Sequence, residues 1–153
     1  MKCGKLKIDL GCGPNKHEDY IGLDIHDYSH LYPEGEFIQW DLEKGALPFC
    51  TNSVKSIWCT SVLEHIHNFI PLMNECWRVL RPGGDMYILV PKAGGEGSFK
   101  DPTHCRFFLN KTFDYFTKSV RQENYGIKPW ELVTNRMWKG GQGTIEVVMK
   151  PVK

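Results

Sequence analysis

The chain has 153 residues, 41% hydrophobic and 24% charged, which fits one globular domain over 1–153 and excludes disordered, collagenous and coiled-coil classes. Lysine plus arginine is 19 and aspartate plus glutamate 18, so a net charge of +1 gives no electrostatic footprint for nucleic acid or an anionic membrane surface. No apolar run reaches the length of a membrane span, and the opening MKCGKLKIDL is too short and too charged for a signal peptide. Short alternating segments then follow one another. Residues 5–10 (KLKIDL) place Leu6, Ile8 and Leu10 on one face of a predicted strand, and 20–25 (YIGLDI) do the same with Ile21, Leu23 and Ile25. Residues 36–42 and 54–60 are the next predicted strands. Phe69, Leu72, Met73, Cys76, Trp77 and Leu80 recur at the helical period, with Pro71 tolerated in the first turn. Arg81-Pro82-Gly83-Gly84 breaks that helix, and 86–90 (MYILV) reads as a central strand covered on both faces. Residues 92–100 are a glycine-rich loop, and 92–106 are expected to act as a mobile lid. Residues 107–120 suggest a short helix capped by Asn110. Strands at 131–138 and 144–150, joined by 139–143, would form an antiparallel hairpin.

The expected architecture is an α/β, Rossmann-like, mostly parallel sheet with an antiparallel C-terminal edge. A strand that runs directly into Gly11-Cys12-Gly13 is its sharpest local signal. Glycine lets the chain turn and lets a ligand approach backbone without meeting a Cβ. Asp24 ends the second strand, where doubly wound folds accept ribose hydroxyls, and Asp41 ends the third. Gly11, Gly13, Asp24, Asp41 and Thr60 would converge at the carboxyl ends of the strands. Lys16 stands where a dinucleotide fingerprint requires its third glycine, and no P-loop occurs.

Asp9-Leu10-Gly11-Cys12-Gly13-Pro14, Asp24, Trp40-Asp41-Leu42, Leu47-Pro48-Phe49, Val62-Leu63-Glu64-His65-Ile66 and Arg78-Val79-Leu80-Arg81-Pro82-Gly83-Gly84, in this order, resemble class I S-adenosylmethionine-dependent methyltransferases. The likeness is strongest to the small-molecule methyltransferase domain of the ubiquinone/menaquinone-biosynthesis kind. It implies S-adenosylmethionine as cofactor. Gly11, Cys12 and Gly13 would line its methionine and ribose portion, with Asp24 on the ribose hydroxyls and Ile25 against the adenine. Asp41 would meet the adenine amino group, Leu42 would offer its backbone N–H, and the chain around Thr60, just past the fourth strand, would hold the methionine end. The methyl would point towards His65 and the later loops. Asp101-Pro102-Thr103-His104 and Arg106-Phe107-Phe108 resemble a segment of some small uncharacterised members.

The chain begins on the first strand, and residues 14–19 are too few for a crossover helix, so one sheet face is expected to lose its usual cover. Lys5 and Lys7 on that face agree. A polar surface, the aromatic 107–116 segment or a weak homodimer could supply the cover. His65 and His104 are the candidate bases, and Asp101, His104 and Arg106 the candidate contacts to a small-molecule methyl acceptor. Glu64 stands three residues after Ser61, in capping-box spacing. The aromatic cluster from Phe107 to Phe116 reads as local core first and as a substrate wall second. No cysteine pair joins the histidines at zinc spacing, so no metal is expected, and six cysteines without Cys-x-x-Cys read as reduced thiols in a cytoplasmic protein. A non-catalytic binding or assembly protein of the same fold, and a nucleotide-binding oxidoreductase, are the alternatives.

Overall fold

Strict apolar alternation makes the first strand. In the computed structural model, which describes residues 6–117, 122–138 and 143–153, β1 is Leu6–Leu10, with Ile8 and Leu10 fully buried. β2 (Ile21–Asp24), β3 (Phe37–Gln39) and β4 (Val54–Thr60) follow, all parallel to their neighbours. Helix α1 spans Phe69–Val79 and leads directly into β5, Leu80–Pro91. The chain then forms the short helices α2 (Glu96–Phe99) and α3 (Asp114–Thr117), before β6 (Trp130–Trp138) and β7 (Thr144–Pro151). The seven strands are ordered β3-β2-β1-β4-β5-β7-β6, with β7 antiparallel to both β5 and β6. This is the mostly parallel sheet with an antiparallel C-terminal edge that the alternation predicts. Among the described residues, no helix is long and apolar enough to cross a membrane.

β5 begins six residues before the predicted strand. Leu80 already pairs with Val54, and the irregularity between Val54 and Ser56 absorbs Arg81-Pro82-Gly83-Gly84 within the strand. Of the predicted short helix at 107–120, the described residues form a 3-10 helix, Asn110–Phe113, that runs into α3. Asn110 does not cap it. Its side chain bonds to Asn135 of β6 at 2.8 Å, and the Thr112 hydroxyl accepts the Leu109 N–H at 3.0 Å.

One face of the sheet carries α1. Phe69, Leu72, Met73, Cys76 and Val79 bury the helix's apolar stripe against Ile8, Ile57, Cys59, Met86, Ile88 and Val147. The aromatic segment joins this same face: the Phe69 ring meets Phe108 and Phe116, each at 5.5 Å. It therefore does not cover the opposite face, as one reading of the sequence had it. That face is covered by the first crossover, which holds no helix. His17 and Tyr20 from this loop lie on Trp58, Trp58 stacks on Tyr87 at 4.0 Å, and the Lys7 ammonium sits over the Tyr20 ring. Aromatic rings and a snorkelling lysine suit a face left half-wet.

Cys12, Cys59, Cys76 and Cys105 are free thiols, whereas Cys50 is disulfide-bonded. This corrects the expectation of six reduced thiols, because sequence spacing does not report which sulfurs the fold brings together. Cys3 lies outside the described residues, as do 139–142 of the predicted 139–143 connection.

Candidate functional site

The carboxyl end of β1 turns on two left-handed glycines, Gly11 at φ 62° and Gly13 at φ 57°. A Cβ on Gly11 would drive into the Val62 side chain, while one on Gly13 would meet nothing within 4 Å. Gly11 therefore answers to both backbone angle and space, and Gly13 to angle alone. The turn is fastened to the end of β2. Asp24 accepts the Gly13 N–H on Oδ2 at 2.9 Å and the His26 N–H on Oδ1 at 3.0 Å. Asp9 is 4% exposed and accepts the His17 N–H at 2.7 Å, which braces the crossover. Burial raises the Asp9 carboxyl above its ordinary value, against the His17 hydrogen bond. Burial, with Asp9 and Asp24 nearby, pushes the Cys12 thiol up to about 12, which disfavours a thiolate nucleophile there. Lys16 turns its buried side chain to Glu36 at 2.9 Å. The loop offers no pyrophosphate cradle.

A cavity of about 440 Å³ opens beside this turn, at the carboxyl ends of β1 to β4. Gly11, Asp24, Ile25, Asp41 and Leu42 line it. Cys12, Gly13 and Thr60 do not; at the fourth strand the lining residue is Ser61, held at a left-handed φ of 55° by its N–H bond to the Leu89 carbonyl. Trp40, Val62 and Ile66 complete the apolar walls. The residues fit an adenosine-bearing cofactor. Asp24 keeps lone pairs free after accepting two amides, since an ionised carboxylate has about four acceptor sites. Ile25 is 57% exposed beside it, an apolar surface without a cover. Trp40 Nε1 and the Leu42 N–H have no partner among the described residues. The Asp41 carboxylate accepts the Glu43 N–H and lies 3.4 Å from the Lys44 ammonium.

A second cavity, about 300 Å³, adjoins the first, and Ser61 and His65 belong to both walls. The turn after β4 contributes Glu64 and His65, and the segment after β5 contributes Lys100, Asp101 and His104. The His65 and His104 rings stand nearly perpendicular, 4.7 Å apart. Thr103 joins the His65 ring at 2.9 Å and Asp101 at 2.7 Å. The backbone N–H groups of Cys105 and Arg106 both reach the Glu64 carbonyl, which ties this segment to the β4 turn. His65, Asp101 and His104 thus come together.

Arg106 is not among them. Its guanidinium donates to the Ile66 and His67 carbonyls and lies over the Phe69 ring, so it clamps the loop before α1 instead of contacting an acceptor. Ser61 and Glu64 form no capping box either: Leu63–His65 is a single 3-10 turn with Val62 at its N-cap and no side-chain cap. The amino end of α1 is served by Glu43, whose carboxylate accepts the N–H groups of His67 and Asn68 at 2.6 and 3.0 Å.

A nucleotide-type cavity at the carboxyl ends of a Rossmann-like sheet, with an acid ending β2, defines the class of the site. A family profile described as "Methyltransferase domain" matches residues 8–88, and the chain belongs to that family, whose enzymes use S-adenosylmethionine. A protein of Mycolicibacterium smegmatis described as a probable S-adenosylmethionine-dependent methyltransferase is 27% identical over 118 residues. That match takes in 67% of this chain and 46% of the relative, so the chain spans about half its length. A methyltransferase structure from Archaeoglobus fulgidus has a TM-score of 0.69 at 13% identity, covering 96% of this chain and 86% of that one. The Burkholderia thailandensis 1,6-didemethyltoxoflavin-N1-methyltransferase, solved with that acceptor and S-adenosylhomocysteine, has a TM-score of 0.67 at 13% identity, covering 99% and 72%. A methyltransferase in complex with a Haloferax volcanii methyltransferase activator has a TM-score of 0.70 at 14% identity, covering 100% and 85%. These structural likenesses show the fold.

Proposed function

We propose that this chain transfers a methyl group from S-adenosylmethionine, held in the first cavity, to a small acceptor in the second. The observation that carries the reading is the shared wall: two cavities meet at Ser61 and His65, and one contains the Asp24 carboxylate beside the glycine turn. When bound, S-adenosylmethionine supplies a methyl already activated on a sulfonium sulfur. The chain's main contribution is therefore alignment of the acceptor, with its proton removed where needed. Asp24 would hold the ribose end, Ile25 would pack against the base, and Leu42 would offer it a backbone N–H. The Thr103 hydroxyl gives its proton to Asp101, so it accepts from His65 Nδ1, which leaves the His65 lone pair on Nε2. His65 is thereby set to take a proton from the acceptor, and His104, with Nδ1 3.1 Å from the Ser98 carbonyl, is the second candidate base. Glycine, aspartate and cavity together disfavour the non-catalytic alternative, which predicts an eroded cofactor site. The same proposal includes a weak homodimer and a likeness of domain type to the small-molecule methyltransferases of the ubiquinone/menaquinone-biosynthesis kind.

The test is calorimetry with S-adenosylhomocysteine. One equivalent should bind the wild type, and a protein that gives no binding heat and no thermal stabilisation overturns the reading.

A further inference from the structure

In the wall of the second cavity, three side chains bring metal-ligating atoms into one another's neighbourhood. Glu64, His65 and His104 each offer one ligand atom, and these atoms lie within 4.8 Å of one another. Glu64 is 2% exposed, and its Oε2 has no hydrogen-bond partner among the described residues. A carboxylate oxygen buried without a partner is costly, and in native structures such an atom points to an ion or a donor that meets it.

The two imidazoles are already oriented. His104 Nδ1 lies 3.1 Å from the Ser98 carbonyl, which can only accept, so Nδ1 carries the proton and Nε2 the lone pair. The Thr103–Asp101 chain does the same for His65. Metal-ligating histidines characteristically donate their second ring N–H to a carbonyl or a carboxylate-linked partner, which fixes tautomer and angle. Ser98 is 1% exposed, and its side chain reaches the Gly95 carbonyl at 2.7 Å.

We infer that Glu64, His65 and His104 form a binding site for one divalent transition-metal ion of the zinc type, with its open positions towards the second cavity. Two imidazoles and a single carboxylate suit such an ion, whereas Mg²⁺ prefers hard oxygen ligands in an octahedron. Ligand bonds of about 2.0–2.2 Å require the three donors to draw in by about an ångström from their present spread. The sequence hid this group because its donors meet across the fold, from the turn after β4 and the segment after β5, and not at zinc-motif spacing. An ion here lowers the pKa of an oxygen bound to it. With the ion bound, His65 and His104 would be its ligands, and an acceptor oxygen on the ion would lose its proton to water, in place of the histidine base proposed for the ion-free site. The site stands on its own side chains; only its role beside the acceptor rests on the methyltransferase reading.

The experiment titrates EDTA-treated protein with ZnCl₂ by calorimetry, with bound zinc counted by atomic emission. One Zn²⁺ per chain is expected, with at least about tenfold weaker binding in Glu64→Gln and in His104→Ala, and no saturable heat from MgCl₂. Thr103→Val keeps every ligand but removes the partner of His65 Nδ1. It should weaken zinc binding about tenfold with an unchanged circular dichroism spectrum. Absence of saturable zinc binding overturns the site, as does affinity that survives both Glu64→Gln and His104→Ala. If those two variants fail to fold, unchanged affinity in Thr103→Val overturns it. S-adenosylhomocysteine titrated into the same samples separates the readings. Cofactor binding without zinc binding removes the metal site alone, and zinc binding without cofactor binding removes the methyltransferase reading alone.

Discussion

Gly11 serves fold and site at once. Its left-handed φ would strain any other residue, and the Val62 side chain occupies the space where a Cβ would stand. Gly11→Ala should therefore destabilise the protein by about 1–3 kcal/mol or more in urea unfolding, the cost of a non-glycine residue held in that region. Gly13→Ala, with open space at its Cβ, should cost less. Equal losses at the two positions would show that packing against Val62 is not the reason for Gly11. Such glycines are legible in a sequence because few other residues accept a positive φ. Ser61 was not legible, since a serine at φ 55° carries no signature of its own. The sequence points only to the chain around Thr60, just past β4, which is where Ser61 stands. Arg106 misled for a different reason: a loop arginine reads as a substrate contact until the carbonyls of Ile66 and His67 are seen to hold it.

Elements show a similar division. The α1 stripe and β4 follow directly from apolar periodicity, and β4 has the bounds that alternation assigns. β5 does not, because a proline and two glycines read as a break although the strand only bulges around them. Near the carboxyl end of α1, Arg78 bonds Glu75 at 2.8 Å and the Leu47 and Phe49 carbonyls at 3.1 and 3.0 Å. Burial raises the Glu75 carboxyl, but the Arg78 hydrogen bonds and the Leu47 N–H outweigh it and hold it below its ordinary 4.5. A carboxyl depressed in the folded state stabilises above the unfolded value and loses that contribution as pH falls through the folded one. The urea-midpoint difference between wild type and Glu75→Gln should thus stay constant above about pH 4.5 and shrink below it. A difference that does not change with acid would contradict the pairing. The segment from Lys92 to Arg106 makes its own prediction. Gly94 to Lys100 should exchange amide hydrogens faster than Met86 to Val90 and slow when an acceptor binds. Cys105 and Arg106, bonded to the Glu64 carbonyl, should be protected throughout. Protection at 94–100 equal to that of β5 would remove the lid.

Across the whole molecule, sheet order and crossover length decide what is exposed. The short loop between β1 and β2 was readable as helix-free from residue count alone. Its use of His17 and Tyr20 as cover was not, since that depends on Trp58 and Tyr87 meeting across β4 and β5. The exposed apolar surface lies elsewhere: Phe99 and Phe107 are 63% and 45% exposed and share a ring contact at 4.9 Å. A weak symmetric dimer in our proposal buries apolar surface of this kind. Sedimentation at high micromolar concentration should show mass above 17.7 kDa, and a single 17.7 kDa species would contradict it.

The central claim is that the Asp24 end of the sheet binds S-adenosylmethionine, and it is tested most directly by comparing S-adenosylhomocysteine affinity in wild type and Asp24→Ala. Loss of a charged acceptor for the ribose hydroxyls is worth about 1.5–3 kcal/mol, roughly a 10- to 150-fold weaker Kd. Such a loss, in a variant whose circular dichroism spectrum matches wild type, is the predicted result; an unchanged Kd would contradict the account.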